Sequence, residues 1–97
     1  MFAVVVFFQV KVEFVNEFNT LILNNAKTSL EQESGCHQFD VCFDDDKPGE
    51  VFLYELYDDK AAFDVHLASE HFLAFAEASA QMVVSKTLHL YPRVVQK

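Results

Sequence analysis

Tryptophan is absent from this 97-residue chain, and cysteine, glycine and proline occur only twice each. Two isolated glycines, Gly35 and Gly49, cannot build a glycine-rich phosphate loop. Cys36 and Cys42, on a single strand, would lie ~20 Å apart, well beyond the about 7 Å that a disulfide tolerates. Neither has the Cys-x-x-Cys spacing of a zinc or redox motif, and unpaired thiols fit a reducing compartment.

Positive charge is the other scarcity. Seven Lys and Arg against fifteen Asp and Glu give a net charge of −8. A nucleic-acid binder needs a basic footprint to displace counterions, and cations scattered singly do not make one. The same balance disfavours an anionic membrane surface and contributes solubility. The apolar opening run Met1–Phe8 has no basic lead-in and no cleavage site, and it is far shorter than the ~20 residues that span a bilayer. It reads as a strand, and the cytoplasm is the expected location.

What the chain has in excess is apolar mass: 52% hydrophobic residues, eleven of them phenylalanine. Residues 1–97 make one domain, and this is more apolar material than one thin core needs. Some of it must face a partner or line a cavity.

From Phe2 to Val12 the residues Phe2, Val4, Val6, Phe8, Val10 and Val12 share one strand face, with Ala3, Val5 and Phe7 on the other. From about Phe14 to Glu33 the period changes. Phe14, Phe18, Leu21, Ile22 and Asn25 follow helical spacing, and Gly35 ends the helix. Gly35 to Asp44 alternates, with His37, Phe39, Val41 and Phe43 against Cys36, Gln38, Asp40 and Cys42. Asp45 to Gly49 is a turn punctuated by Pro48-Gly49, and Glu50 to Tyr57 is the returning strand. Asp58 or Asp59 caps a short helix reaching His66 or Leu67, Ser69 caps the next helix, and Ser85 to Val95 closes the chain as a strand, with Pro92 marking an edge or an end. The order β-α-β-β-(α)α-β is the split βαβ, a ferredoxin-like α+β fold with one antiparallel sheet and helices on one face. The bare sheet face calls for a cover, and a second copy of the chain is the simplest one. A homodimer is therefore expected.

Two stretches carry a more specific likeness. The first is Asn25-Ala26-Lys27-Thr28-Ser29, then Glu33-Ser34-Gly35-Cys36 and Phe39-Asp40-Val41. The second is Tyr54-Glu55, Tyr57, Asp59, Ala62-Phe63, His66, Ser69 and His71-Phe72. Together, in this order, they resemble the antibiotic biosynthesis monooxygenase family. Ser34 stands where the family pattern has proline. The resemblance implies a dimeric α+β barrel with a pocket between sheet and helices. Members include cofactor-free oxygenases of quinol-like aromatics and an isomerase of a phosphorylated autoinducer. The haem-degrading branch of that superfamily relies on a pocket tryptophan, which this chain lacks.

His66 and His71 are the candidate catalytic residues, because an imidazole is the side chain suited to move a proton near neutral pH. The bland alternative is that each fixes the joint between two helices. Asn25, at the inward end of the first helix, is a candidate to orient a substrate oxygen. Tyr54, Phe39 and Phe72 are candidate substrate contacts, although packing would employ all three equally well. Glu55 faces opposite to Tyr54 and reads as an interface ion-pair member. No metal is expected: His66 and His71 are five apart, off the i, i+4 spacing of helical zinc pairs, and no carboxylate completes a known pattern. Asp44, Asp45, Asp46 and Glu50 lack the ligand positions of a calcium loop and read as a solvated hairpin tip. Arg93 is the sole arginine, which weighs against a phosphorylated substrate.

The leading expectation is oxygenation of a small phenolic or quinol-like molecule without a cofactor: a histidine removes a proton, and the substrate anion itself reduces dioxygen. An isomerase or tautomerase using the same base, and a non-catalytic dimer that binds a small molecule, are the alternatives.

Overall fold

Alternation in the first strand organises the fold. In the computed structural model, which describes residues 1–97, β1 (Phe2–Val10) buries Phe2, Val4, Val6, Phe8 and Val10 against the helices. The strand stops at Val10 instead of continuing to Val12. There the Lys11 N–H donates to the Met82 carbonyl and a short 3-10 turn, Val12–Phe14, leads into α1 (Val15–Gln32), leaving Val12 exposed.

The hairpin β2 (Cys36–Phe43) and β3 (Glu50–Tyr57) follows, then α2 (Lys60–Leu67), α3 (Glu70–Ser79) and β4 (Val83–Tyr91). The sheet order is β2-β3-β1-β4 and every pair is antiparallel, which is the ferredoxin-like split βαβ. At the hairpin tip Gly49 takes φ +97°, and a Cβ there would meet the Val10 carbonyl at 2.7 Å, so both the backbone and the space require glycine. β4 begins and ends earlier than the sequence pattern suggests: Pro92 lies just beyond its last residue, where it removes no ladder bond.

One register detail departs from simple alternation. A bulge between Cys36 and Gln38 lets Cys36 share the helix-facing side with Phe39, while His37 turns outward to Asp58. Both cysteines are free, Cys36 buried and Cys42 exposed.

Helix α1 lies on the sheet through Phe18, Ile22, Asn25, Ala26 and Ser29. Phe8, Phe18 and Phe75 meet edge to face, with ring centroids 5.1, 5.7 and 6.4 Å apart. This geometry adds about 1 kcal/mol per pair beyond area burial. The helices cover only the start of β4, where Val83 packs against the core. Leu88 and Leu90 point to the helix side yet remain 47% and 42% exposed, so the layer is open along that edge.

Most of the opposite sheet face is uncovered in the single chain, although Ala3 and Leu56 at one end of it are buried. Its centre is apolar, with Val5, Phe7, Phe52 and Tyr54, and Phe7 is 42% exposed. Gln38 and Asp40 flank it on one side, Thr87 and His89 on the other. No helix is long and apolar enough to cross a membrane.

Candidate active site

A cleft lies between the helix-facing side of the sheet and the three helices. Its volume in the single chain is about 50 Å³. Val4, Val6, Phe8 and Leu53 form the floor, and Phe39, Phe63, Phe72 and Phe75 the walls. Lys86 and Leu88 stand at the open β4 edge. Three polar side chains enter this apolar space: Asn25, Glu55 and His66.

His66 is placed by local helix chemistry. The Asp59 carboxylate accepts from the Ala62 N–H at 2.9 Å and starts α2. The helix breaks at Ala68. Ser69 then caps α3, accepting from the Phe72 N–H while its hydroxyl donates to the His66 carbonyl at 2.6 Å. This break changes how two histidines five residues apart relate, because they sit on different helices with a turn between them. The spacing rule for a single helix does not apply, and both rings converge on one carboxyl group.

That group is Glu33, the residue that ends α1. Its Oε2 accepts from His66 Nδ1 at 2.9 Å and from His71 Nε2 at 2.5 Å. Ser29, one helical turn earlier and fully buried, places its hydroxyl 3.3 Å from His66 Nδ1 and 3.1 Å from His71 Nε2. Glu33 Oε1 is buried without a partner. The expectation that no carboxylate joins the histidines is thus corrected.

Burial pulls the His66 imidazole below its usual range, and the bond to Glu33 opposes that only in part. With Nδ1 spent on Glu33, Nε2 is the ring nitrogen left without a protein partner. The ring is wedged among Phe72, Tyr57, Phe39 and Phe63, with centroids 5.0 to 6.3 Å away.

Glu55 is 2% exposed and faces this cleft. The Tyr57 hydroxyl donates to its Oε1 at 2.6 Å. Burial pushes the Glu55 carboxyl up to about 7, and it pushes the Tyr57 hydroxyl up as well. The Cys36 thiol, raised to about 12 by burial, stays protonated and is no nucleophile.

Asn25 is 5% exposed and makes no hydrogen bond to the protein; its Oδ1 is buried and unpaired. It lines the cleft and also a second groove between α1 and α3, where His71 is found. Phe39 and Phe72 line the cleft. Tyr54 does not: it shares the uncovered sheet face with Val5 and Asp40. The structure therefore gathers Asn25, Phe39, His66 and Phe72, links His71 through Glu33, and leaves Tyr54 on the far side of the sheet.

Glu33, His66 and His71 bring one oxygen and two nitrogens within 4.8 Å of one another, a set that a divalent cation uses. Separations of 2.5 and 2.9 Å are those of N–H···O bonds. A cation held by bonds of about 2.1 Å would have to part the donors to about 3.4 Å.

The family model described as antibiotic biosynthesis monooxygenase matches residues 1–78. Among solved structures, one named antibiotic biosynthesis monooxygenase is 26% identical, with 98% of this chain and 100% of that one aligned at a TM-score of 0.88. A conserved protein of Methanosarcina mazei Go1 is also 26% identical, covering 96% and 92% at 0.86. A Nitrosomonas europaea protein bearing the same family name shares the fold at 23% identity, covering 98% and 100% at 0.91.

Proposed function

Because the chain belongs to the antibiotic biosynthesis monooxygenase family, we propose that it is a monooxygenase that oxidises a small phenolic or quinol-like substrate without a cofactor, with His66 as the base. The observation that carries this reading is the pairing of a free imidazole nitrogen with an unpartnered buried amide in one aromatic-walled cleft.

Glu33 holds the His66 Nδ1–H, so Nε2 keeps its lone pair for a substrate hydroxyl. Depression of the His66 pKa keeps that nitrogen unprotonated at neutral pH. Asn25 supplies the hydrogen bond that orients the substrate oxygen. The resulting phenolate is electron-rich and reduces dioxygen directly. One oxygen atom enters the ring and the other leaves as water, so a quinol becomes a hydroxyquinone. The apolar walls keep bulk water from the intermediates. His71 positions Glu33 from α3. The uncovered sheet face, apolar at its centre and polar at its margins, is the seat of a second copy of the chain.

Oxygen uptake with a panel of hydroquinones tests the reading. Wild-type protein consumes dioxygen with at least one of them, and His66→Ala lowers that rate about 1,000-fold. Solvent proton exchange without oxygen consumption would replace oxygenation by isomerisation. Absence of both, with His66→Ala altering only the melting temperature, would leave a binding protein.

A further inference from the structure

Of the three titratable groups that line the cleft, the mechanism above uses His66; Lys86 stands at the open edge, and Glu55 is left without work. Its setting is unusual for a structural residue. The carboxyl is buried, joins no ion pair, and spends only Oε1 on the protein, through the Tyr57 hydroxyl. An ionised carboxyl so placed lacks the compensation that buried charges normally have. The Tyr57 ring also packs 5.6 Å from the His66 ring, so Tyr57, buried behind the cleft, touches both side chains that line it.

We propose that Glu55, in its acid form, is the proton donor of the cleft: Tyr57 fixes one of its oxygens, and the other protonates the peroxide formed when dioxygen adds to the substrate anion. This assignment rests on the monooxygenase reading. The proton inventory closes. His66 takes the phenolic proton. The substrate anion bonds to dioxygen at a ring carbon, giving a peroxide anion, and Glu55 protonates its outer oxygen. The Glu55 carboxylate then takes the hydrogen from that same ring carbon. The C–H pair becomes the new C=O bond and the O–O bond breaks. The departing hydroxide takes the proton from His66 and leaves as water. Dioxygen is the only oxidant, and both side chains end as they began.

The groups around Glu55 fit such a donor. Tyr57 lies on its own strand, Lys86 faces it from β4, Glu33 from the end of α1, and His66 lines the same cleft from α2. Lys86 draws the carboxyl down and Glu33 pushes it up, while burial dominates both and leaves it near 7. A group poised there both gives and takes a proton at neutral pH.

Infrared spectroscopy and kinetics test this together. At pH 6 the wild-type protein shows the C=O stretch of a protonated carboxyl that fades as pH rises through about 7 and is missing in Glu55→Gln. Resorcinol, added with dioxygen excluded so that it cannot turn over, shifts that band when it binds. With an active hydroquinone, Glu55→Gln lowers kcat about 100-fold with KM changed less than threefold, and it abolishes the fall of kcat above pH 7. Tyr57→Phe keeps the ring packing, moves the band and weakens the donor less severely. A Glu55 band absent at pH 6, a band that resorcinol leaves unmoved, or a Glu55→Gln pH profile identical to wild type overturns the assignment. If no hydroquinone supports oxygen uptake, the monooxygenase reading fails by itself, and the resorcinol shift still decides whether Glu55 meets a ligand.

Discussion

Glu33 and Glu55 are two acidic side chains of the same small core, and their neighbours give them different work. Glu33 sits at a helix end and meets two imidazoles delivered by two different helices. Glu55 sits in the middle of a strand and meets one phenol two residues along that strand. The first closes a three-element clamp and fixes ring orientation. The second keeps an oxygen free and faces open space. Burial alone thus does not assign a carboxyl its role; the number of donors converging on it does.

Glu33→Gln attacks the clamp. An amide offers one acceptor oxygen and two donors, so it cannot serve two N–H groups with the same strength. Oxygen uptake is expected to fall about 100-fold as His66 loses its fixed tautomer. If the rate is unchanged, Glu33 is only a packing residue.

The pH dependence of stability separates the two sites next. The Glu55 pKa is raised on folding, from 4.5 to about 7. Its contribution is complete below 4.5 and is lost as pH rises through 7, which amounts to about 3 kcal/mol at pH 8. The His66 pKa is lowered on folding, so its contribution is present above 6.5 and is lost as pH falls. Denaturant titrations at pH 5 and pH 8 should show Glu55→Gln recovering most of the alkaline loss while keeping the acid one. Equal slopes for variant and wild type would contradict the buried carboxyl.

Tyr54→Phe is the smallest change and the control. Tyr54 lies on the uncovered face, outside the cleft, so kcat and KM should stay within twofold and stability within about 0.5 kcal/mol. A large loss of activity would put this face in the chemistry.

The sheet was legible because β1 and β3 are dense in β-branched and aromatic residues and Pro48-Gly49 marks the hairpin turn. The sequence also put Tyr54 and Glu55 on opposite sides of β3. Alternation fixes relative sides only; which side receives the helices is decided by long-range packing, and so Tyr54 was expected in the pocket and Glu55 outside it. Glu33 had a readable signal. Asn25, Ser29 and Glu33 are spaced four apart and form one polar edge on the inward side of α1. The apolar stripe of α1 stops at Asn25, where that edge begins. The joint between His66 and His71 depends on the helix break at Ala68, which Ser69 announces but whose angle no local pattern specifies.

Gly35 lies in the corner between α1 and β2, and a Cβ there would stand 2.6 Å from Cβ of Ala62 on α2. Helix and corner therefore meet as two hard surfaces, with no flexible side chain between them to absorb error. The contact acts as a mechanical stop: it sets how deeply α2 seats, and with it how far the His66 ring reaches into the cleft. The reach of the proposed base is accordingly dimensioned by an atom that the chain does without.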